Sequence, residues 1–201
     1  MCGLTGFWDT RAVQADAAQA LAQSMAERIR HRGPDDHGAW VDPQAGVALA
    51  HRRLSILELS AAGHQPMTSG GGRYVIVFNG EIYNHLELRA ELERSRAAIA
   101  WRGHSDTESL LAGFEAWGVV ETLKRAIGMF AIALWDRAER TLTLARDRIG
   151  EKPLYWGVGR EGAALLFGSE LKALRAHPQF NPALNHEAVA LYLRFGYVPA
   201  P

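Results

Sequence analysis

Met129-Phe130-Ala131-Ile132-Ala133-Leu134-Trp135 and Thr141-Leu142-Thr143-Leu144-Ala145-Arg146 flank the polar run Asp136-Arg137-Ala138-Glu139-Arg140. Two apolar runs around a short charged one predict a β-hairpin. The pattern repeats downstream, where Leu154 to Val158 and Ala163 to Phe167 flank Gly159-Arg160-Glu161-Gly162. Upstream, residues 2–8, Val47 to Ile56 and Arg73 to Asn79 read as further strands, the last carrying the buried-strand core Tyr-Val-Ile-Val-Phe. Apolar residues at helical spacing predict helices over Ala15 to Ile29 (Leu21, Met25, Ile29), His85 to Arg96 (Leu86, Leu88, Leu92) and Ser105 to Trp117. Ser105 or Asp106 suits the N-cap, and Glu108 stands at capping-box spacing from Ser105. Short helices are expected at Glu170 to Arg175 and Glu187 to Arg194. Gly33-Pro34-Asp35-Asp36 is expected to turn. Strands joined by short turns form antiparallel sheets, so the fold class expected is an α+β layered sandwich, not a doubly wound parallel sheet.

Composition narrows the function classes. The chain has 201 residues, with 22 basic and 22 acidic side chains and a formal net charge of zero. Without a broad cationic field, neither a nucleic acid nor an anionic membrane is an expected partner. A chain of this size buries about 70% of its unfolded surface, enough for a core without staples. One cysteine makes no internal disulfide and no Cys-rich zinc site, which predicts an intracellular, cytoplasmic protein. No run approaches the roughly 20 apolar residues of a membrane span, and the N-terminus lacks the basic start and apolar centre of a signal peptide. No two histidines lie at i, i+3 or i, i+4 on a predicted helix, so no metal is expected. Gly70-Gly71-Gly72 has no Lys-Ser/Thr after it and reads as a turn, not a phosphate loop.

Three groups of residues can carry chemistry. Cys2 follows Met1, and removing Met1 would leave a residue with both a thiol and a free α-amine. Such an amine has a reference pKa near 7.7–8.0 and suits a general base. Nucleophile and base then share one residue, and no histidine is required. Asn79 and Gly80 offer a side-chain amide and an unencumbered N–H, two donors of the kind a tetrahedral oxyanion needs, although Asn-Gly alone reads as a hairpin turn. Arg53 and Asp106 form the third group. Arg52 and Arg53 lie on opposite faces of a strand, and whichever faces inward wants a carboxylate. Asp106 can cap a helix or hold a cation. An amino-acid substrate needs both. The loop Asp147-Arg148-Ile149-Gly150-Glu151-Lys152-Pro153 yields no chemistry from its residues.

Taken together, Cys2-Gly3-Leu4-Thr5-Gly6, Arg30-His31-Arg32-Gly33-Pro34-Asp35, Arg53-Leu54-Ser55-Ile56, Asn79-Gly80-Glu81-Ile82-Tyr83-Asn84 and His104-Ser105-Asp106-Thr107-Glu108 resemble, in that order, the class II glutamine amidotransferases. The Arg-His-Arg-Gly-Pro-Asp form and Asp147-Arg148-x-Gly-x-Lys-Pro-Leu-Tyr are similar to the glutamine-hydrolysing asparagine synthetase branch. The resemblance runs from Cys2 to about Lys172. It implies an N-terminal-nucleophile hydrolase fold, a four-layer αββα sandwich of two antiparallel sheets. It implies Cys2 as nucleophile, Asn79 and Gly80 as the oxyanion hole, Arg53 on the substrate α-carboxylate, and Asp106 with Glu81 on its α-ammonium. It also implies a strand Leu54-Ser55-Ile56-Leu57 lining the pocket with backbone groups.

The resemblance implies L-glutamine as substrate, with glutamate and ammonia as products. Family members continue into a synthetase domain with a Ser-Gly-Gly-x-Asp-Ser loop, for which Ser69-Gly70-Gly71-Gly72 is no match. Residues 1–182 are therefore expected to form the glutaminase domain and 183–201 the start of a linker toward a C-terminal synthetase domain. ATP and Mg²⁺ are implied for that domain alone, so no cofactor is expected here. The apolar end Leu191, Leu193, Phe195, Tyr197 and Val198 is expected to move or to pack on a second copy, as in a homodimer. Two rival readings stand beside this one. A non-catalytic glutamine-binding or docking module follows if Met1 is retained, because the amine base is then an amide. A Cys-His peptidase or amidase would need a histidine beside Cys2.

Overall fold

The computed structural model describes residues 1–11, 13–95 and 99–199. Among these residues nine strands make two antiparallel sheets. One has the order β2-β3-β1-β9-β8, with β1 (Gly3–Asp9) central, β2 (Asp36–Asp42), β3 (Val47–Arg53), β8 (Tyr155–Val158) and β9 (Ala164–Gly168). The other has the order β4-β5-β6-β7, with β4 (Met67–Thr68), β5 (Tyr74–Ile82), β6 (Gly128–Asp136) and β7 (Thr141–Arg146). The helices are α1 (Ala15–Glu27), α2 (His85–Ser95), α3 (Asp106–Trp117), α4 (Val119–Arg125), α5 (Leu171–Leu174) and α6 (His186–Phe195).

Alternation along the strands sorts the core into three layers. Leu4, Val47, Leu49, Val75, Val77, Ala131, Ala133, Trp135 and Phe167 pack between the sheets. Phe7, Ala48, Ala50 and Leu166 face outward onto Ala22, Met25 and Ala26 of α1 and Leu174 of α5. Ile76, Phe78, Ile132 and Leu134 face the opposite way, onto Leu88 of α2 and Leu110, Leu111 and Phe114 of α3. The order is therefore α, β, β, α, the sandwich expected. Both expected hairpins form, β6 with β7 and β8 with β9. Among the described residues no helix is long and apolar enough to cross a membrane.

The structure corrects the sequence reading at several places. Asn79-Gly80 is not a turn: β5 runs on to Ile82, with Asn79 opposite Ala131 and Gly80 opposite Phe130. Glycine is required there by close packing, since a β-carbon would overlap the Met129 carbonyl oxygen and lie 2.8 Å from Phe130 Cα. The strand expected to reach Ile56 stops at Arg53, so residues 54–57 are not a strand. Beyond that point the Ser55 N–H is taken by Asp35 Oδ2 at 2.8 Å in place of a strand neighbour. Strand β2 begins at Asp36, inside the expected turn, and is a half-buried polar edge strand with no alternation to announce it. Helix α4, unexpected, is seven residues long and starts from Gly118, whose φ of +81° also ends α3. Leu86 of α2 points to solvent, and Arg96 lies outside the described residues.

Helix α6 has Asn185 as N-cap, donating no contact to the core: none of its residues is buried. Leu193, Phe195, Tyr197 and Val198 are exposed. The accessible surface is 10733 Å², against roughly 9,300 Å² for an average protein of this mass.

Candidate active site

Strand parity brings the candidates together. Cys2 shares the face of Leu4, Arg53 that of Leu49, and Asn79 that of Val77, so all three point into the space between the sheets. The register Gly3 opposite Arg52 sets Cys2 beside the end of β3. At this end of the cleft Cys2, Arg53, Leu54, Ile56, Leu57, Asn79, Gly80, Glu81 and Asp106 line one pocket. Ser55 is not among its lining residues, because its backbone is turned toward Asp35. Gln65, Phe78, Thr107, Met129 and Lys152 line it too, none of them singled out by sequence as a site residue.

Cys2 Sγ lies 3.4 Å from Leu54 N and 3.5 Å from Leu54 O. Burial pushes its thiol up, against the Leu54 N–H and the nearby N-terminus and Arg53, which pull it down. The sulfur is thus held as a thiol and needs a base to react. The Cys2 carbonyl accepts from Arg32 Nε at 2.9 Å, and Arg32 Nη1 is paired with Glu170 at 2.9 Å. Arg32, in the Arg-His-Arg-Gly-Pro-Asp segment, therefore fixes the backbone of the nucleophile candidate.

Arg53, and not Arg52, faces the pocket. Arg52 turns toward α1, where it meets Glu27 and the Ala26 carbonyl. The Arg53 guanidinium donates to the Ser60 carbonyl at 3.1 Å and to the Glu58 carbonyl, and stands 4.0 Å from Asp36. Its Cα-bare neighbour Gly63 makes this possible, because a β-carbon there would lie 2.6 Å from Arg53 Cζ.

Asn79 is 1% exposed, and its Nδ2 is a buried donor with no partner. An unsatisfied buried donor costs about 1–3 kcal/mol, so such a group in a pocket wall is a ready hydrogen-bond site. The strand that carries it is braced on its open side. β4 pairs with β5 only at Ile76 and Val75, which leaves Phe78 without a strand neighbour there. Side chains replace that strand: Phe78 N donates to Gln65 Oε1 at 2.7 Å, and His51 Nε2 lies 2.9 Å from the Phe78 carbonyl oxygen. His51 is fully buried, and burial holds its pKa down to about 4, so the ring is neutral and Nε2–H is the donor. Gln65 Nε2 in turn donates to Thr107 Oγ1 at 3.5 Å.

Asp106 opens α3, but Ser105 is the N-cap, accepting from Glu108 N at 3.2 Å. Glu108 does not close the capping box. It accepts from the Arg102 and Gly103 N–H groups at 2.7 and 3.1 Å. Asp106 is thus free of capping. Its carboxylate accepts from Ile82 N at 2.9 Å and Thr107 N at 2.8 Å. Burial pushes its carboxyl up, against those two N–H groups, which pull it down. Among the described residues no Lys, Arg or His nitrogen lies within 4.0 Å of it, so no ion pair holds this buried carboxylate, and His85 acts on it only from farther off.

The geometry offers a thiol, an unpartnered amide donor, a cation and an anion around one small space, which fits an amino acid with a reactive side-chain carbonyl. The family model described as glutamine amidotransferase domain matches residues 1–201. A putative glutamine-hydrolyzing asparagine synthetase of Mycobacterium tuberculosis (strain CDC 1551 / Oshkosh) is 43% identical over 216 residues, covering 100% of this chain and 32% of that protein. Glutamine-hydrolyzing asparagine synthetase 3 of Bacillus subtilis (strain 168) is 36% identical over 197 residues, covering 94% of this chain and 30% of that one. The chain thus spans about a third of the length of these relatives. Among solved structures, the glutamine phosphoribosylpyrophosphate amidotransferase of B. subtilis, complexed with ADP and GMP, superposes with a TM-score of 0.70 at 20% identity, over 87% of this chain and 43% of that one, and shares the fold. With the model matched from end to end and its sandwich fold shared, the chain belongs to the glutamine amidotransferase domain family.

Proposed function

We propose that the chain hydrolyses L-glutamine to L-glutamate and ammonia through a thioester on Cys2, as the ammonia-supplying part of an asparagine synthetase-like protein. The observation that carries this is the meeting of the chain's one cysteine with the unpartnered Asn79 amide in one pocket. Once Met1 is removed, the Cys2 α-amine takes the thiol proton and sulfur attacks the side-chain carboxamide carbon. Asn79 Nδ2 and the Gly80 N–H hold the oxyanion. The Cys2 α-ammonium gives its proton to the amide nitrogen as the tetrahedral intermediate collapses, so that the C–N bond breaks and ammonia leaves. The same amine then activates water, which cleaves the thioester to give glutamate. Arg53 holds the α-carboxylate, and Asp106 with Glu81 the α-ammonium. Leu54, Ile56 and Leu57 wall the pocket.

This chemistry draws on no cofactor. ATP and Mg²⁺ belong to a C-terminal synthetase domain, onto which the bare apolar side of α6 would pack. In this reading residues 1–182 are the glutaminase domain, 183–201 the link, and the site of action is the cytoplasm.

The second reading, a glutamine-binding module without turnover, has one observation in its favour. Met1 itself lines the pocket, with Sδ 3.3 Å from Lys152 Nζ. Intact mass separates the two: loss of one Met residue accompanies activity. The decisive assay is glutamate release in chelator without nucleotide. Cys2→Ala should abolish it, and Cys2→Ser should leave a trace, since a hydroxyl is the weaker nucleophile. Turnover by the alanine variant, or a strict need for ATP in the processed parent, would overturn the proposal.

A further inference from the structure

Lys152 lines the pocket and has no part in the reaction as written. It is one of three lysines in a chain with 19 arginines, and it is 7% exposed. The loop between β7 and β8 is built to hold it. Asp147 accepts from Phe130 N at 3.2 Å, Glu151 N at 2.8 Å and Lys152 N at 3.0 Å. Arg146 Nε donates to the Lys152 carbonyl at 2.6 Å, and Arg146 Nη2 to the Gly150 carbonyl. This gives a structural reason for the Asp147 to Pro153 segment, whose residues alone announced no chemistry.

A buried ammonium ordinarily rests against a carboxylate, because desolvating the charge is costly. Among the described residues no carboxylate oxygen lies within 4.0 Å of Lys152 Nζ. Asp147, in the same loop, is occupied by backbone N–H groups. The partner present is Met1 Sδ at 3.3 Å, a weak acceptor. Removing Met1 takes that sulfur away and leaves the new Cys2 α-amine in the same pocket.

We propose that Lys152 is a second cation of this pocket, facing the free α-amine of Cys2, and that its charge keeps this amine unprotonated and able to take the thiol proton. The inference rests on the Cys2 reading above. The other charged groups of the pocket show why such a cation is needed. Glu81 from β5 and Asp106 from α3 wait for the substrate ammonium and would also draw a proton onto the amine. Arg53 from β3 is engaged by the Ser60 and Glu58 carbonyls, and the Glu58 carboxylate by the N–H groups of Ser60 and His104. Lys152 offsets the acids at the amine. It acts by charge and is a positioning residue for a proton, not a nucleophile.

The test uses the Met1-processed 201-residue chain, with kcat/KM for glutamine followed from pH 5.5 to 9.5. In Lys152→Met the acid limb should move up by about one pH unit, the scale of one close like charge. Activity at pH 6 should then fall about tenfold, while that at pH 9 stays within about twofold. Lys152→Arg should restore the acid limb of the parent. Melting temperatures of all three check folding. An unmoved acid limb in a folded Lys152→Met protein would overturn the proposal, and so would a loss equal at every pH. Cys2→Ala is run alongside: if it still turns over, the Cys2 reading fails and the role of Lys152 with it, whereas an inactive Cys2→Ala with an unmoved acid limb in Lys152→Met overturns the role of Lys152 alone.

Discussion

Asp106→Asn separates a substrate-binding anion from a structural one. In the parent, each carboxylate oxygen accepts one backbone N–H, from Ile82 and Thr107. Asparagine keeps one acceptor oxygen and removes the charge. One backbone N–H then faces an amide NH₂, which costs about 1–3 kcal/mol if it stays unsatisfied. Against this stands the relief of a buried, unpaired anion, since isolated buried charges are themselves costly. The two terms are of similar size, so the melting temperature should change by only a few degrees. Glutamine binding has no such offset. The substrate ammonium would be buried with its main counter-charge gone, a loss of about 2–5 kcal/mol, or roughly 30- to 5,000-fold in Kd. Binding is best measured by calorimetry in the Cys2→Ala background, where no turnover intrudes. The parent affinity in an Asp106→Asn protein of parent stability would refute the assignment. A collapse of stability with affinity unchanged would make Asp106 a structural residue of α3.

Asn79→Ala should lower kcat by about 10²–10³ with a smaller effect on KM, because the amide serves the tetrahedral intermediate more than the ground state; steady-state kinetics decide, and a rise in KM alone would make it a binding residue. Gln65→Leu removes the acceptor of the Phe78 N–H and should cost about 1–3 kcal/mol in stability by chemical denaturation, along with about 10- to 100-fold in kcat as the Asn79 end of β5 loosens. His51 makes stability pH-dependent. Its folded pKa of about 4 lies below the ordinary 6.5, so the unfolded chain binds more protons between those values. Its contribution is whole above pH 6.5 and drains away as pH falls toward 4, by on the order of 3 kcal/mol, and His51→Gln should flatten denaturation midpoints across that window.

Much of this layout was legible before any coordinates. The two hairpins and the apolar Tyr74 to Phe78 run pointed to antiparallel sheets and the resemblance to two of them; β5 and β6 are buried on both faces, whereas β7 and β8 are edge strands with no fully buried residue. Arg53 could be narrowed to one of two neighbours by period-two reasoning alone, and contact with Glu27 resolved which. The failures have physical causes. Asn-Gly is read as a turn because local propensity favours one, yet here glycine answers a tertiary demand, the approach of the β6 backbone. Strand β2 carries Asp36, His37, Gly38 and Asp42, residues a strand edge tolerates and a strand pattern does not announce. Gln65, His51 and Lys152 are silent in sequence because their roles are set by partners 13, 27 and 151 residues away.

Register explains why the pocket stands where it does. β1 and β3 run antiparallel, so the start of one meets the end of the other, and Cys2 arrives beside Arg53 without any local signal linking them. β5 comes from the other sheet, and its braced end brings Asn79 and Gly80 across the cleft. Helix α3 then begins where β5 ends, and the Ile82 N–H to Asp106 bond ties the two together. Each of these strands offers its pocket residue by parity, so a slip of one residue in any of them would turn that side chain toward α1 or α3 instead. The core residues Leu4, Leu49 and Val77, each on the same face as a site residue of its strand, forbid that slip, because it would carry them out of the inter-sheet layer as well. The packing that stabilises the sandwich is thus also what holds thiol, amide and guanidinium at one end of the cleft.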